Sequence, residues 1–441
     1  MNVPISQVIL FGVIGIAVII LLTVRYKLHA FFALIAACFV TGLGIQLSLP
    51  EIITAVKDGF GNIMRSLGLI IILGTTLGAL LEHSGSTHVM AAYIFKKTGS
   101  RNASLAASLT GFITGLPIFC DSGFIVLSGL NKSLAQRTGV SMVVMSVSLA
   151  TGLYAVHCLV PPHPGATAAA AALNLDPGRL LLYGVLVAIP AMLAGHAWSV
   201  YMGKKIKGIP EQEQATDEKN EGPSVIKAFL PVLVPVILIS LRSIFINRLP
   251  AGTWVNNGLA LGDPVLALAV GVGLAYLNKT KWGKNAGQHL IQDAVEKAGN
   301  ILIITGAGGA FGAVLAAANL GAGLGQLPVL KTMGIAFPFL VTFILKTAQG
   351  SSTVAIITAA AIVQPLLGVM GLDSENGILL TVLAMGAGSM MISHVNDSYF
   401  WVIAKFSGLD MKTMLKVYST ATVGMGLITF IMVYLLSMII H

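Results

Sequence analysis

Long apolar runs without a charged side chain recur along this chain of 441 residues, and they limit the folds that are open to it. The hydrocarbon core of a bilayer, about 30 Å thick, is crossed by about 20 residues of α-helix. Because lipid offers no partner to a backbone amide or carbonyl, each such run is predicted to form a helix. Runs of this kind lie near residues 5–24, 28–48, 66–83, 179–202, 228–246, 258–277, 298–318 and 413–438. The sequence therefore predicts an all-α polytopic membrane protein.

The composition agrees with a membrane protein and argues against other classes. Hydrophobic residues make up 56% of the chain and charged residues only 10%, too few to cover a soluble protein of this size. The 26 lysines and arginines outnumber the 17 acidic residues, but they stand between the apolar runs, which is typical of membrane topology and not of a nucleic-acid-binding surface. Cys38, Cys120 and Cys158 lack the spacing of a disulfide framework or a thiolate metal site, so we expect no metal or other cofactor. The charge-free residues 1–24 are interpreted as an uncleaved first span.

Four further stretches are apolar but interrupted near their middle. Residues 138–175 and 376–404 are long enough to cross a bilayer, yet His, Pro, Asn or Asp residues break each of them. Residues 102–135 and 336–369 carry Gly, Pro or Ser at their centres, and we predict that they enter and leave by the same side as re-entrant hairpins. The full prediction is about ten transmembrane helices plus two re-entrant hairpins.

The chain divides into two halves around one polar segment. Residues 203–227 are rich in lysine and acidic residues, and we predict that they form a cytoplasmic linker, with both termini on the outer side. Residues 1–202 and 228–441 align at a constant offset of 234 residues, which places Gly74 on Gly308. Both halves contain spans, a hairpin and an interrupted span in the same order, and an odd number of crossings per half inverts the second copy. Two inverted repeats with broken helices at matching positions indicate a secondary transporter.

The same offset brings the four interruptions together. It places residues 115–123 over 349–353, and residues 161–165 over 395–399. A helix that restarts inside a membrane directs free amides and the positive end of its dipole at its surroundings, which favours an anion. We therefore predict that the polar residues at the breaks bind a small hydroxylated acid. They are Ser122, His163, Lys346, Gln349, Gly350, Ser351, Ser352, Thr353, Asn396 and Ser398.

Ionisable residues inside the predicted spans are candidates for ion coupling, because a charge in a bilayer is costly. Asp121, Asp397 and His394 lie at the breaks, and each could carry a proton. The two aspartates could instead only cap helix ends at the water boundary. Lys346 could pair with a substrate carboxylate or an acidic residue, or extend to the interface. His157 is interpreted as an interior structural residue.

The residues at these breaks also resemble those of a known family. The matching segments are GLPIFCDSGF at 115–124, HCLVPPHPG at 157–165, AQGSSTVA at 348–355, and SHVNDS at 393–398 with Phe400 and Trp401. The resemblance is to the gluconate permease family, the gluconate:proton symporters, within the ion transporter superfamily. It extends over nearly the whole chain. A departure from the family is Lys346, where an arginine is common, so gluconate itself is less strongly indicated than the transport class.

The resemblance implies a multi-pass carrier of the bacterial inner membrane that imports sugar acids, or related small hydroxy or amino acids, together with protons. It also implies a homodimer in which a mobile transport domain slides, as in an elevator, against a scaffold that includes helices 5–48. A sodium-coupled organic anion carrier is the alternative within this class. An intramembrane hydrolase using Asp121 and Asp397 is less well supported, since the chain has no GxGD sequence, and we do not expect an enzyme. A passive channel would more commonly repeat a subunit around one pore.

Overall fold

A computed structural model describes residues 5–99, 102–205, 222–245, 258–278, 286–317, 328–395 and 397–440. These residues are helical almost throughout and contain no β-strand. The predicted linker 203–227 lies mostly outside the described residues.

The first half of the described chain forms nine helices of unequal length. They are α1 (Ile5–Ile20), α2 (Ala30–Gly44), α3 (Leu49–His83), α4 (Ser86–Thr98), α5 (Ala103–Gly115), α6 (Cys120–Thr138), α7 (Met142–Leu159), α8 (Pro164–Ala172) and α9 (Pro177–Gly203). A π-helical turn at Leu21–Arg25 extends α1.

The second half has a similar series of helices. They are α10 (Val225–Phe245), α11 (Pro264–Leu277), α12 (Ala286–Ala317), α13 (Pro328–Met333), α14 (Ala336–Gln349), α15 (Ser352–Val363), α16 (Leu367–Met370), α17 (Glu375–Met390), α18 (Ser398–Ser407), α19 (Met411–Met414) and α20 (Thr420–Ile440). A π-helical turn at Leu415–Ser419 joins α19 to α20.

Seven helical segments of the described residues are long and apolar enough to cross a membrane. They are Leu49–His83, Met142–Ala172, Pro177–Gly203, Val225–Phe245, Leu290–Ala317, Ser352–Met370 and Met411–Ile440. Shorter apolar helices lie at Leu10–Thr23, Ala30–Gly44, Ala103–Gly115, Pro264–Leu277 and Ala336–Gln349. The prediction of an all-α polytopic membrane protein is confirmed, and the count of about ten spans with two re-entrant hairpins stays a prediction.

Two helices extend well beyond the spans predicted for them. The predicted span 66–83 is the end of α3, which begins at Leu49, and the predicted span 298–318 is the end of α12. At the start of α3 the Ser48 amide donates to Oε2 of Glu51 at 2.7 Å, and the Ser48 hydroxyl accepts from the Glu51 amide. This capping box stabilises polar first turns. A charge-free run cannot reveal such turns, because it ends at the first charged residue.

Local sequence accounts for the position of each break. Helix α5 ends just before Pro117, whose missing N–H cannot continue a helix. Gly350 has a φ of +83°, a left-handed conformation that ends α14, and the Ser351 hydroxyl caps α15 by accepting from the amide of Val354 at 3.3 Å. Helix α8 starts at Pro164, and Oδ1 of Asp397 caps α18. The helix ends thus fall inside the four stretches that the sequence marks as interrupted.

Helix positions recur along the chain. Helices α2, α8 and α9 begin at residues 30, 164 and 177, and α11, α18 and α19 begin at residues 264, 398 and 411, which is 234 residues later in each case. Contacts between the halves are reciprocal. Helix α6 packs against α18 while α8 packs against α15, and α2 packs against α12 while α11 packs against α3. This packing brings the four breaks to one place.

Glycines allow several of these helices to approach closely. A Cβ on Gly152 of α7 would lie 2.1 Å from the backbone oxygen of Ser108 on α5. In the second half, a Cβ on Gly388 of α17 would lie 2.3 Å from the backbone oxygen of Phe339 on α14. A backbone atom cannot move away as a flexible side chain can, so these crossings require glycine.

Replacing Gly152 with valine is therefore expected to lower thermal stability, since overpacking of a helix crossing costs about 1–3 kcal/mol. The midpoint of unfolding in detergent, followed by intrinsic fluorescence, measures this effect. Gly424→Ala on α20 is the matched control, because no atom lies within 4 Å of an added Cβ there. Its midpoint should be unchanged or slightly raised. Equal midpoints for the two variants would contradict the close packing of α5 on α7.

Candidate functional site

The four helix breaks enclose a cavity of about 390 Å³. Its walls include residues 119–122 at the start of α6, Pro164 of α8, residues 351–354 at the start of α15, and residues 397–399 at the start of α18. The volume falls in the range of small-molecule sites. The cavity is thus formed mainly by the first turns of four helices from both halves of the chain.

The electrostatics of these helix ends favour a negatively charged group. The first amides of a helix have no partner within the helix, and its N-terminus carries a partial positive charge. Helices α6, α8, α15 and α18 all begin at the cavity wall. Hydroxyl groups of Ser122, Ser352 and Thr353 stand beside these ends and can donate to, or accept from, a polar ligand. The arrangement suits a small anion that also carries hydroxyl groups.

The candidate residues fall into three groups. Those that line the cavity are Asp121, Ser122, Ser351, Ser352, Thr353, Asp397 and Ser398. Those that are described but lie outside the cavity wall are His163, Lys346, Gln349, Gly350 and His394. Asn396 lies outside the described residues.

Lys346 is paired with Asp397. Its side chain is 0% exposed, and its ammonium nitrogen lies 2.6 Å from Oδ2 of Asp397. The ammonium also donates to the backbone oxygen of Gly350. Oδ2 of Asp397 accepts a further hydrogen bond from the Ser393 hydroxyl, and Oδ1 accepts from the amide of Tyr399. Of the partners considered for Lys346, the structure contains the acidic one, and this buried pair lies directly behind the cavity wall.

Two of the candidate histidines connect a helix break to the neighbouring hairpin. Nε2 of His163 lies 2.7 Å from the backbone oxygen of Gly115, at the end of α5. Nε2 of His394 lies 3.1 Å from the backbone oxygen of Thr347, in the last turn of α14. Since a carbonyl oxygen only accepts, each imidazole must donate from Nε2 in these contacts. These histidines therefore stabilise the hairpin tips from outside the cavity.

Some polar atoms near the cavity have no hydrogen-bond partner among the described residues. Oδ1 of Asp121 and Nδ1 of His157 are buried without one, and both residues line the cavity. The side-chain amide of Gln349 is also buried, and both of its polar atoms lack a partner in the described part of the chain. Buried polar groups are normally hydrogen-bonded, so Asp121 and His157 are suited to meet a ligand or a proton.

Sequence reasoning missed one wall of the cavity. Lys297, Asn300, Ile301 and Ile304 of α12 line it, and their spacing of three and four residues puts them on one helical face. Lys297 is exposed, and Oδ1 of Asn300 lies 2.8 Å from Nε2 of His29. The sequence predicts a span at 298–318, but nothing in the sequence indicates which helix faces the breaks.

Aromatic residues form another wall that the sequence did not reveal. Tyr154 of α7 and Tyr399 of α18 line the cavity with ring centroids 5.7 Å apart. The Tyr154 hydroxyl donates to the backbone oxygen of Ser389, and the Tyr399 hydroxyl donates to that of Ala150. These hydrogen bonds connect the two halves, so the aromatic wall also fixes how the broken helices meet.

Comparisons with known proteins identify the family of this chain. A family model described as GntP family permease matches residues 7–439. A gluconate permease of Pseudomonas aeruginosa is 32% identical over 99% of this chain and 98% of its own length. The D-serine transporter DsdX of Escherichia coli O6:H1 is 31% identical over 97% of each chain.

A solved structure shares the fold. The YdaH transporter of Alcanivorax borkumensis matches with a TM-score of 0.62 at 13% identity, over 89% of each chain. Family membership, together with the long apolar helices, makes this chain a multi-pass protein of the bacterial inner membrane and a transporter rather than an enzyme. The family resemblance seen in the sequence motifs is thereby confirmed: the chain belongs to the GntP family of permeases.

Proposed function

We propose that this protein is a proton-coupled secondary active transporter. It imports gluconate, or a related sugar acid or small hydroxy monocarboxylate, by elevator-type alternating access. The observation that carries the proposal is the convergence of four helix N-termini on one cavity that also contains two aspartates. Helix N-termini bind anions, and intramembrane carboxylates are typical carriers of coupling protons.

The chemistry of the cavity supports a hydroxylated carboxylate as substrate. The N-terminus of α15, with Ser351, Ser352 and Thr353, offers amide and hydroxyl donors to a carboxylate. Ser122 of α6 and Ser398 of α18 also line the cavity and are suited to bind the hydroxyl groups of a polyol chain. A small hydroxy amino acid is the alternative substrate, since its carboxylate would bind the same donors and its ammonium group could meet Asp121.

Asp121 is the better supported proton carrier of the two aspartates. Asp397 is already paired with Lys346, whereas Oδ1 of Asp121 is buried without a partner among the described residues. An ionised Asp121 would repel an anion bound beside it, and a proton on its carboxyl group removes that repulsion. Protonation and substrate binding would therefore favour each other, which is the requirement for symport.

The recurring helix positions and the reciprocal contacts between halves support two inverted repeats around the cavity. In such transporters one part of the protein moves against the other between the outward-facing and inward-facing states. Here α12 contributes one wall of the cavity, and the hairpins and broken helices contribute the others. We propose that the hairpins and broken helices move together against α3 and α12 within a homodimer. The wall formed by α12 then contacts the substrate in only one of the outward-facing and inward-facing states.

Uptake into proteoliposomes tests the function. Labelled gluconate, other sugar acids, small hydroxy monocarboxylates and D-serine are supplied with an inward proton gradient, an inward sodium gradient or neither. We expect accumulation of at least one hydroxy acid above equilibrium with the proton gradient only. Uptake that never exceeds equilibrium, or that is as fast as conductance through a pore, would contradict the proposal.

Replacing Asp121 with asparagine is expected to abolish accumulation driven by a proton gradient while leaving exchange of labelled for unlabelled substrate measurable. Asparagine keeps the size of the side chain, but its neutral amide cannot take up and release a proton as a carboxylate does. Asp373→Asn, at an exposed position outside the cavity, is the control and should behave as the native protein does. Normal accumulation by the Asp121 variant would exclude this residue as the proton carrier.

Replacing Lys297 with glutamine is expected to raise the KM for an anionic substrate by about threefold to tenfold and to leave kcat nearly unchanged. An exposed charge at the cavity wall contributes about 1 kcal/mol to the attraction of an anion. The increase in KM should shrink at high salt, because salt screens an exposed charge. Lys297→Arg should retain the native KM, and an unchanged KM in the glutamine variant would remove Lys297 from the binding site.

A further inference from the structure

We infer that the ammonium group of Lys346 is a built-in cation that fills a site suited to sodium directly behind the cavity wall, so that the transporter does not couple to sodium. The inference deepens the proposed function and rests on it, since it concerns the coupling ion of the same site. It goes beyond proton binding at Asp121, because it explains why a second kind of cation is excluded.

The end of α14 has the character of a cation site. The last carbonyls of a helix have no partner within the helix and carry a partial negative charge. In broken membrane helices, such carbonyl groups are the ligands that coordinate coupling cations. Helix α14 ends at Gln349, and the carbonyl of Gly350 follows in the left-handed conformation. The carboxylate of Asp397 faces this carbonyl from the break before α18, as their shared contact with Lys346 shows.

The ammonium nitrogen of Lys346 occupies this position. It binds the Gly350 carbonyl oxygen and Oδ2 of Asp397, and it lies 5.9 Å from the centre of the Tyr154 ring, whose face also attracts cations. The Ser393 hydroxyl also donates a hydrogen bond to Oδ2 of Asp397. A carbonyl, a carboxylate and an aromatic face thus surround one positive charge that is covalently attached to the chain.

A sodium ion could enter only by displacing that ammonium. Lys346 is 0% exposed and Asp397 is 5% exposed, so the displaced lysine would remain buried without its carboxylate. A buried ammonium that has lost its carboxylate is strongly unfavourable, because its charge is left without compensation. The pair therefore excludes sodium for as long as the lysine is present.

The first half of the chain shows the same device with a different residue. Position 163 matches position 397 at the offset of 234, and the helix end that it faces is that of α5. Here the imidazole of His163, 2% exposed, donates to the carbonyl of Gly115 at 2.7 Å. Both hairpin tips therefore have a carbonyl that accepts a hydrogen bond from a buried side-chain N–H.

The test uses sodium ion itself as the probe. The thermal midpoint of the purified full-length protein is measured in sodium chloride and in choline chloride at equal ionic strength, and substrate uptake is measured with a sodium gradient alone. For the native protein we expect no sodium-specific shift of the midpoint and no sodium-driven uptake. Either effect in the native protein would overturn the inference.

Removing the built-in cation should open the site. In Lys346→Gln, Asp397 loses its partner, and we expect a saturable rise of the thermal midpoint with sodium that choline does not produce. The double variant Lys346→Gln with Asp397→Asn should lose this rise, and Lys346→Arg should remain insensitive, because its charge still fills the site. Lys405→Gln, at an exposed lysine of α18, is the control for loss of a positive charge.

The outcomes separate this inference from the proposed function. A folded Lys346→Gln protein without a sodium response would overturn the inference, whatever its transport activity. If Lys346→Gln does not fold, the native protein and the Lys346→Arg variant still test the inference. A sodium-specific shift of the thermal midpoint in either protein would overturn it. Failure to transport any acid of the panel would contradict the proposed function alone, because the thermal measurements need no transport.

Discussion

Backbone amides and carbonyls at helix ends inside a membrane need hydrogen-bond partners. In the four broken helices of this protein, some of these groups bond to side chains and others are directed at the cavity. Carbonyls at the ends of the two hairpin helices, at Gly115 and Gly350, accept hydrogen bonds from His163 and Lys346. The restarting helices instead direct their amide ends at the cavity. One structural solution, the broken helix, therefore creates both the region suited to an anion and the region suited to a cation, a few residues apart.

The charges at the cavity follow from this division. Asp397 is neutralised by a buried lysine and also caps α18, so it connects the second hairpin to the break before α18. Asp121 has one buried carboxylate oxygen without a partner in the described part of the chain, and the residue lines the cavity. The two aspartates thus differ in their surroundings, because among the described residues Asp397 forms an ion pair with a lysine and Asp121 does not.

Much of the site could be predicted from the position of the breaks. Ser351 to Thr353 and Asp121 stand near Pro or Gly residues inside apolar stretches, and Asp397 stands among polar residues that interrupt one; such polar residues must have partners at membrane depth. The α12 wall and the tyrosine pair could not be predicted. Lys297 lies directly before an ordinary apolar run, and Tyr154 stands in apolar sequence like other interior aromatic residues. Nothing in the local sequence indicates that either residue lines the cavity. The partner of Lys346 also stayed open, because 51 residues separate it from Asp397.

The sequence by itself determined that the chain is a helical membrane protein and where its helices break, and it predicted that the two halves have matching order. These properties depend on local hydrophobicity and on residues such as Pro117 and Gly350, whose conformational effects act within a few residues. Only the tertiary structure decided which polar residues face the cavity and which are paired behind it. That choice depends on contacts between helices far apart in the chain, such as α6 with α18 and α8 with α15, and no local pattern encodes them.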